Sequence, residues 1–383
     1  MEFKGYRREN GGYGIRNHVL VMCSVNCASG VVQAINRAIP EIVPVINNYG
    51  CGSAGNDAAV MLRTLVGIAN NPNVAAVLII GLGCEGLGAH RLANSIKGKP
   101  VECLVIQEDG GSATTTKKGI EITRHFLSLT RAQKRVPAPI TELVVGLECG
   151  GSDAFSGITA NPAVGATTDL FVKAGATTLL SETTEMIGTA HILKRRAVTP
   201  ELGEQIEQLV NNQEKKVRLA LGEWAGMVIA PGNIDGGLSS ITEKSLGCIE
   251  KGGTTPINEI VGYAHRPTKH GLVIMDTPGY DIDSMAGFAA GGTQVILFTT
   301  GRGTPAGFPA VPVIKVCSNT RTFRSMPGDM DVNAGTIIDE NRSIGQVGQE
   351  IYELTMRVVN GELTCSEKNL SIPFNYLKEG PTF

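Results

Sequence analysis

The most constraining feature of this chain is a repeated alternation of short apolar strands with amphipathic helices. In the first third, the segments HVLVMCSV, EIVPVIN, VAAVLIIGL and VECLVIQ have strand character, and helix-like segments such as SGVVQAINRAI separate them. These strands are apolar along nearly their whole length, which is typical of a parallel sheet covered on both faces. The sequence therefore predicts an α/β fold with mainly parallel sheets.

A polar, proline-containing segment, RAQKRVPAP, interrupts this alternation and predicts a domain boundary. A second block then starts with ELVVGLE and continues with the strand candidates GMVIA, GLVIMDT, TQVILFTT and VPVIKVC. We expect a first α/β domain over residues 1–134 and a second domain over residues 139–383. The length of 383 residues suits two domains of this kind.

Composition and charge argue against several classes of protein. The net charge of −2 gives no reason to expect nucleic acid or an anionic membrane as a partner. The longest apolar run, around residues 77–82, is too short to cross a bilayer, and the first residues do not form a signal peptide. We therefore expect a cytoplasmic protein whose nine cysteines are reduced and serve as core, metal-binding or catalytic residues.

Three of the cysteines, Cys51, Cys84 and Cys149, directly follow predicted strands and are flanked by glycine. Ligand sites of open α/β sheets gather at the carboxyl ends of strands, so these thiols are a candidate metal or redox site. Cys27 also lies at a strand end and could join them. The remaining cysteines are interpreted as ordinary apolar side chains, namely Cys23, Cys103, Cys248, Cys317 and Cys365.

The loop after ELVVGL carries the densest set of polar groups, Glu148 and Cys149 followed by two glycines, Ser152 and Asp153. Glu148 and Asp153 could act as metal ligands or bases, and a helix after the loop would offer free N–H groups to a substrate carboxylate. The alternative is a glycine-rich turn in which Ser152 or Asp153 caps a helix.

Two segments elsewhere add candidates. Glu182 and Glu185 are spaced to share one helix face and could ligate Fe²⁺ or Mn²⁺, or could cap the helix. His18, with Arg16 beside it, is a candidate acid or base, although a lone histidine is more often structural.

The TTGRGTPAGF loop places Thr299, Thr300 and Arg302 where they could hold a carboxylate, or it is a plain proline-glycine turn. The chain has neither a GxGxxG fingerprint after a suitable strand nor a phosphate-binding GxxxxGK[ST] loop, so a nucleotide cofactor is not supported.

Several long motifs together resemble the altronate/galactarate dehydratase family. They are GYRRENGGYGIRNHV, GLGCEG, QEDGGS, GLECGGSDAFSGITANPAVG, LSETTEMIG, KSLGCIEKGGTTPI, MDTPGYD, AGGTQVILFTTGRGTPAGF and GDMDVNAG. The resemblance implies an iron-dependent lyase that eliminates across the C2–C3 bond of a sugar acid or a related 2-hydroxy acid. It also implies a Rossmann-like C-terminal domain that binds the metal, and a homodimer formed through the first domain.

On this resemblance we assign the metal to Cys51, Cys84 and Cys149, with Glu148 or Asp153 assisting. The expected cofactor is Fe²⁺ or Mn²⁺, with a [4Fe–4S] cluster on the three thiols as the alternative. Catalytic roles are expected for His18, Glu148 and Asp153. Substrate binding is expected from Arg16, Ser152, Thr299, Thr300 and Arg302.

Single-chain members of the family carry an additional N-terminal β-clip (SAF) domain, whereas this sequence opens directly at the GYRRENG motif. We therefore expect a large subunit that works with a separate small SAF subunit. The predicted reaction is dehydration of a sugar acid such as D-altronate to a 2-keto-3-deoxy acid. Alternatives are a (2R)-sulfolactate sulfo-lyase, which forms pyruvate and sulfite, and a non-catalytic metabolite-binding subunit.

Overall fold

The structure is a computed structural model that describes residues 2–222 and 228–380. Its strands are β1 (Glu2–Arg7), β2 (Tyr13–Gly14), β3 (His18–Cys23), β4 (Val43–Val45), β5 (Val74–Gly81), β6 (Val101–Val105), β7 (Val136–Pro139), β8 (Val144–Cys149), β9 (Thr177–Leu180), β10 (Ile257–Val261), β11 (Gly271–Met275), β12 (Val295–Thr300), β13 (Val313–Cys317) and β14 (Val332–Asn333).

Its helices are α1 (Ser29–Ala38), α2 (Gly55–Ala69), α3 (Ala89–Asn94), α4 (Ser112–Ala132), α5 (Ala160–Ala174), α6 (Ala190–Arg195), α7 (Pro200–Leu221), α8 (Pro231–Asp235), α9 (Ile241–Cys248), α10 (Asp281–Ala290), α11 (Thr320–Ser325), α12 (Thr336–Asp339), α13 (Ile344–Val359) and α14 (Cys365–Lys368). No helix among the described residues combines the length and apolarity needed to cross a membrane.

Two parallel sheets confirm the predicted α/β fold. The smaller has the order β4-β3-β5-β6, and the larger has the order β10-β11-β9-β8-β12-β13-β14. β5 and β12 are buried at every position, as their apolar sequences predict. The GMVIA strand candidate lies partly outside the described residues, and its last three residues form no strand.

The larger sheet reverses its winding direction at β8. β8 leads through α5 to β9 on one side, whereas β11 leads through α10 to β12 on the other side of β8. Leu147 and Leu297 pack with α5 on one face of the sheet, while Phe298 packs with Phe288 of α10 on the opposite face. Such a switch point leaves a crevice beyond the carboxyl ends of the strands.

The two sheets are held together by a continuous apolar core. α2, which follows β4, packs against α10, and residues of both helices belong to one buried cluster. The contact is close, because a Cβ at Gly67 would lie 2.6 Å from the carbonyl oxygen of Ala290. Because these residues lie near the carboxyl ends of both helices, α2 and α10 begin on the same side of the molecule.

Arg16 joins the beginning of the chain to its end. The guanidinium forms a two-point ion pair with Glu367 of α14, at 2.7 and 2.8 Å. Its other hydrogen bonds go to the carbonyls of Ile15, Val358 and Glu362, so all of its N–H groups are engaged. Val358 lies in the last turn of α13, where carbonyls lack partners within the helix. Arg16, which was predicted to bind substrate, is thus a structural clamp in which every guanidinium N–H is already engaged.

His18 lies away from the carboxyl ends of the strands, where the other candidate residues were predicted. It is the first residue of β3, at the amino edge of the smaller sheet, and lies near Arg16 and Glu367. Burial lowers its pKa from 6.5 to about 4, with the nearby arginine charges adding to that effect. His18, which was predicted to be a catalytic base, therefore lies half-buried at the amino edge with a pKa that favours the neutral imidazole.

We predict that Arg16→Ala lowers the free energy of unfolding by about 3–5 kcal/mol, because Glu367 would lose its partner in a mostly buried position. Urea unfolding followed by circular dichroism measures this change. Arg131→Ala is the matched control, since Arg131 pairs with Glu41 at 2.6 Å on the exposed surface and should cost less than about 1 kcal/mol. If Arg16→Ala and Arg131→Ala lowered the free energy of unfolding equally, the proposed role of Arg16 as a structural clamp would be contradicted.

We also predict that His18→Gln makes stability less dependent on pH. Between pH 6.5 and about 4 the unfolded chain binds a proton at His18 that the folded chain does not bind, so wild-type stability falls as the pH falls through this window. Between pH 7 and pH 4 the wild type should lose roughly 3 kcal/mol more than His18→Gln. Urea midpoints at several pH values measure this, and substitution of the exposed His125 by Gln should leave the pH dependence unchanged.

Candidate metal centre and active site

The last two residues of β8 aim chemically active side chains at opposite faces of the larger sheet, because successive strand residues alternate. Glu148 points toward α10, where Ser284 donates a hydrogen bond of 2.7 Å to its Oε2. Cys149 points toward α9, where its Sγ lies 3.3 Å from that of Cys248. Both side chains are fully buried.

On the α10 side, Glu148, Glu182 and Asp281 bring one carboxylate oxygen each to within 4.8 Å of one another. Ser181 and Ser284 donate to Oε2 of Glu148, but Oε1 of Glu148 and Oε1 of Glu182 are buried without any hydrogen-bond partner. An unpaired buried carboxylate oxygen is costly, and a bound cation is one of the few groups that can satisfy it.

On the α9 side, Cys149, Glu185 and Cys248 form a second compact group. Oε2 of Glu185 lies 3.0 Å from the Cys149 sulfur and 2.7 Å from the Cys248 sulfur. Burial raises the pKa of Cys149, and the neighbouring Cys248 raises it further. Two thiols and a carboxylate are ligands that suit iron or zinc.

Two lysines partly neutralise these groups. Lys251, which is completely buried, contacts Oε2 of Glu182 at 2.7 Å, and Lys244 pairs with Oε1 of Glu185. When all are ionised, four carboxylates, those of Glu148, Glu182, Glu185 and Asp281, face these two ammonium groups, and the buried ammonium of Lys315 also acts on Asp281. The carboxylates still outnumber the ammonium groups, so a bound cation would reduce the net negative charge.

The pKa directions of the carboxyl groups reflect this imbalance. Burial, followed by the charge of Glu182, raises the pKa of Glu148 well above its ordinary value. Burial raises the pKa of Asp281 to about 7, and Glu182 and Glu185 add to the shift. Lys244 acts in the opposite direction on Glu185, whose pKa is lowered although burial alone would raise it.

The backbone around the carboxylates of Glu148, Glu182 and Asp281 has two positions that few residue types tolerate. Glu182 has φ 64° and ψ 61°, a left-handed conformation that is unfavourable for a residue with a side chain. The N–H of Glu182 donates a hydrogen bond of 2.7 Å to the hydroxyl of Thr277, which helps to hold this conformation. At position 150 only glycine fits, because a Cβ would clash with the Asp281 carboxylate.

Helix α9 supplies the lysine and the second thiol because of where it begins. The Ser240 hydroxyl caps the helix by accepting from the N–H of Glu243 at 3.2 Å. Lys244 and Cys248 are then four residues apart and lie on the same helix face, toward Glu185. A 3-10 turn over Ile249–Gly252 follows directly and carries Lys251 to Glu182.

An open cavity of about 550 Å³ lies next to these groups. Its wall includes Glu185, Lys244 and Asp281, together with the backbone of Gly150 and Gly151. A volume of this size is within the usual range for small-molecule sites. The acids, the lysine and the cavity therefore form a candidate active site at the switch point of the sheet.

The predicted set of three thiols is not brought together. Cys149 lies in the larger sheet, whereas Cys51 and Cys84 are exposed on loops of the smaller sheet. Cys248, which we interpreted as an ordinary apolar residue, is instead the sulfur next to Cys149. Glu182 and Glu185 lie in different groups and do not share a helix face, because Glu182 precedes the 3-10 turn in a left-handed conformation.

Asp153, which was predicted to be catalytic or to assist the metal, holds two loops together. Its oxygens accept hydrogen bonds from the hydroxyls of Ser156 and Ser318 and from the amide of Asn319, at 2.7 to 2.9 Å. These bonds fix the loop after β8 to the end of β13. Ser152 is buried beside this loop, and its hydroxyl has no hydrogen-bond partner.

The predicted carboxylate-binding loop after β12 is also largely engaged in structure. Thr299 donates to the side chain of Asn161 at 2.6 Å, and the Thr300 hydroxyl accepts from the N–H of Gly303 at 3.0 Å. Arg302 has an exposed side chain, and its backbone N–H donates to the carbonyl of Gly151 at 2.8 Å. None of the three lines the cavity beside Glu185.

Sequence reasoning missed Lys244, Lys251 and Asp281. Lys244 and Lys251 lie in the KSLGCIEKGG motif, and Asp281 follows the buried strand β11, as Glu182 follows β9. The rule that was applied to acids after the other strands would have found Asp281. No local pattern marks the two lysines, because what makes them unusual is their burial.

Comparison with known proteins agrees with this architecture. Residues 140–382 match the model of the D-galactarate/altronate dehydratase C-terminal domain, and residues 5–130 match the second domain of D-galactarate dehydratase/altronate hydrolase. The chain is 34% identical to an altronate dehydratase of Bacillus subtilis, covering 99% of this chain and 78% of the relative.

Two further relatives widen the range of reactions. The chain is 37% identical to galactarate dehydratase (L-threo-forming) of Escherichia coli, covering 94% of this chain and 73% of the relative. It is 33% identical to (2R)-sulfolactate sulfo-lyase subunit beta of Chromohalobacter salexigens, covering 95% of this chain and 94% of the relative. The resemblance drawn from the motifs is confirmed, and the chain is a lyase that belongs to the D-galactarate/altronate dehydratase family.

Proposed function

We propose that this protein is the catalytic chain of a metal-dependent dehydratase that converts a sugar acid such as D-altronate into a 2-keto-3-deoxy acid. The observation that carries the proposal is the buried acidic group with two unpartnered carboxylate oxygens beside a cavity of about 550 Å³. The dehydratases among its relatives support the substrate class.

Glu148, Glu182 and Asp281 would hold the metal, since carboxylate oxygens are ligands that suit Fe²⁺ or Mn²⁺. When bound, the ion would stabilise the negative charge that develops on the substrate carboxylate and 2-hydroxyl as the Cα proton leaves. Lys251 holds Glu182 in place from the other side at 2.7 Å.

The pair formed by Glu185 and Lys244 is suited to moving the protons of an elimination. Both residues line the cavity and contact each other. In the proposed reaction Glu185 accepts the Cα proton, the C–O bond at C3 breaks, and Lys244 gives a proton to the departing hydroxyl so that it leaves as water. Glu185 then returns its proton to Lys244, and the enol tautomerises to the keto acid.

Sulfo-lyase activity on (2R)-sulfolactate is the second candidate. It is supported by the match to the sulfo-lyase subunit beta, which this chain covers over 94% of its length. The same base and metal would serve, but sulfite departs as a stable anion and needs no proton from Lys244. That relative is named as one subunit of its enzyme, which also supports the proposal that this chain works with a small SAF subunit.

Anaerobic assays with Fe²⁺ test the function and separate the candidates. The chain would be assayed alone and with a small SAF protein, against D-altronate, galactarate and (2R)-sulfolactate. Keto acid from a sugar acid without sulfite supports the dehydratase, whereas pyruvate with sulfite supports the sulfo-lyase. Absence of turnover on all three substrates by metal-loaded protein would contradict the substrate assignment.

We predict that Glu148→Gln weakens binding of Mn²⁺ by at least about tenfold, the lower end of the effect seen when metal-site residues are lost, and abolishes turnover. The amide keeps the shape of the side chain but removes the charge that would hold the ion. Calorimetric titration with Mn²⁺ and melting temperature measure binding and folding separately.

Glu243→Gln is the matched control for this prediction, because Glu243 is an exposed acid on α9 next to Lys244. It should bind Mn²⁺ like the wild type. If Glu148→Gln binds Mn²⁺ as tightly as the control does, the acidic group is not the metal site.

A further inference from the structure

The exposed cysteines of this chain are concentrated at one edge. Of its nine free cysteines, only Cys27, Cys51 and Cys84 are exposed, and the other six are buried or half-buried. Cysteine is among the most frequently buried residue types, so exposed thiols require a reason. All three follow neighbouring parallel strands, β3, β4 and β5, and therefore lie at the carboxyl edge of the smaller sheet.

A buried network fixes the three loops to one another through Ser24. The Ser24 hydroxyl donates to Oε1 of Glu85 at 2.6 Å, which ties the Cys84 loop to the Cys27 loop. The Ser24 carbonyl accepts from the side chain of Asn47 at 2.7 Å, which ties in the Cys51 loop. Ser24 and Asn47 are completely buried.

Backbone contacts bring the thiol-bearing residues closer still. The N–H of Asn26, next to Cys27, donates to the carbonyl of Tyr49 at 2.9 Å. The carbonyl of Gly50, next to Cys51, accepts from Leu87 of the Cys84 loop at 3.4 Å. Gly50 has φ 106° and would clash with Ser24 if it carried a side chain, so this close approach requires glycine.

We propose that Cys27, Cys51 and Cys84 bind an iron–sulfur cluster at this edge, separate from the metal centre at the end of β8. Thiolates are the ligands of such clusters, and three of them bind three irons of a [4Fe–4S] unit. The fourth iron would face the exposed edge, where a small anionic ligand can reach it.

The three sulfur atoms are not as close together as a single tetrahedral ion requires. A tetrahedral ion with metal–sulfur bonds of about 2.3 Å holds its thiolates within about 4 Å of one another. Among the described residues, the groups whose ligand atoms all lie within 4.8 Å include none of these three thiols. A cluster spans a wider gap, because each thiolate binds a different iron.

The surroundings favour the negative charge of a thiolate-bound cluster. Helices α1 and α2 begin within four residues of Cys27 and Cys51, and their N-cap residues, Ala28 and Ala54, provide no side-chain acceptor. The positive ends of these helices are thus directed at the same edge. The side-chain amide of Gln107 lies 3.9 Å from the Cys84 sulfur, and hydrogen bonds to sulfur are common around clusters.

Iron and acid-labile sulfide, measured per chain, test the proposal without any substrate. The protein is purified without oxygen and, where needed, reconstituted with ferrous and ferric iron in equal amounts plus sulfide. We expect about four sulfide ions per chain and the broad visible absorption of a cluster. Cys27→Ser, Cys51→Ser and Cys84→Ser should each lose nearly all of the sulfide.

These variants should fold, because substitutions at exposed positions usually change stability by less than about 0.5 kcal/mol. Cys103→Ser, at a half-buried thiol on the neighbouring β6, and Glu148→Gln, in the other centre, are controls that should keep the sulfide. The proposal would be overturned if the wild type contained no sulfide, or if it bound a metal without sulfide. It would also be overturned if the serine variants at Cys27, Cys51 and Cys84 kept their sulfide, or if Cys103→Ser lost it.

Discussion

The buried pairing of carboxylates with lysines at the ends of β8 and β9 is the constraint on which the active region depends. Lys251 is completely buried and has Glu182 at 2.7 Å, so removing either partner would leave an isolated charge in the interior. The same pairing helps to hold Glu182 in a left-handed conformation and places its second oxygen toward Glu148 and Asp281. Because acids outnumber lysines, the group carries a net negative charge when all of its members are ionised.

The rest of the fold brings this group within reach of the smaller sheet. α2 and α10 pack along each other and begin on the same side, so the Cys51 loop and Asp281 both lie on that side. The segment after α14 links them, since Asn375 donates to Asp283 at 2.8 Å and Tyr376 donates to Asn47 at 3.0 Å.

Much of this organisation was predictable from local patterns. Continuous apolar strands identified the parallel sheets, and polar residues after strands identified the correct edge of each sheet. Glu148 and Cys149 were predicted in this way, and Glu182 and Glu185 were predicted from their spacing. Arg16, His18 and Asp153 were predicted from patterns of the same kind, and the structure shows Arg16 and Asp153 in hydrogen-bond networks that hold segments together. Polar residues near glycine also serve as braces, and only their hydrogen-bond partners distinguish a brace from a catalytic group.

The sequence by itself determined the α/β class, the family and the strand ends at which chemistry could occur, because period, strand composition and long motifs are local properties. Only the tertiary structure decided which strand ends meet. Cys149 is paired with Cys248, 99 positions later, and is separated from Cys51 and Cys84 because they belong to a different sheet. Burial likewise turned Lys244 and Lys251 into site residues, since the cost of removing a charge from water depends on everything packed around it, not on its neighbours in the chain.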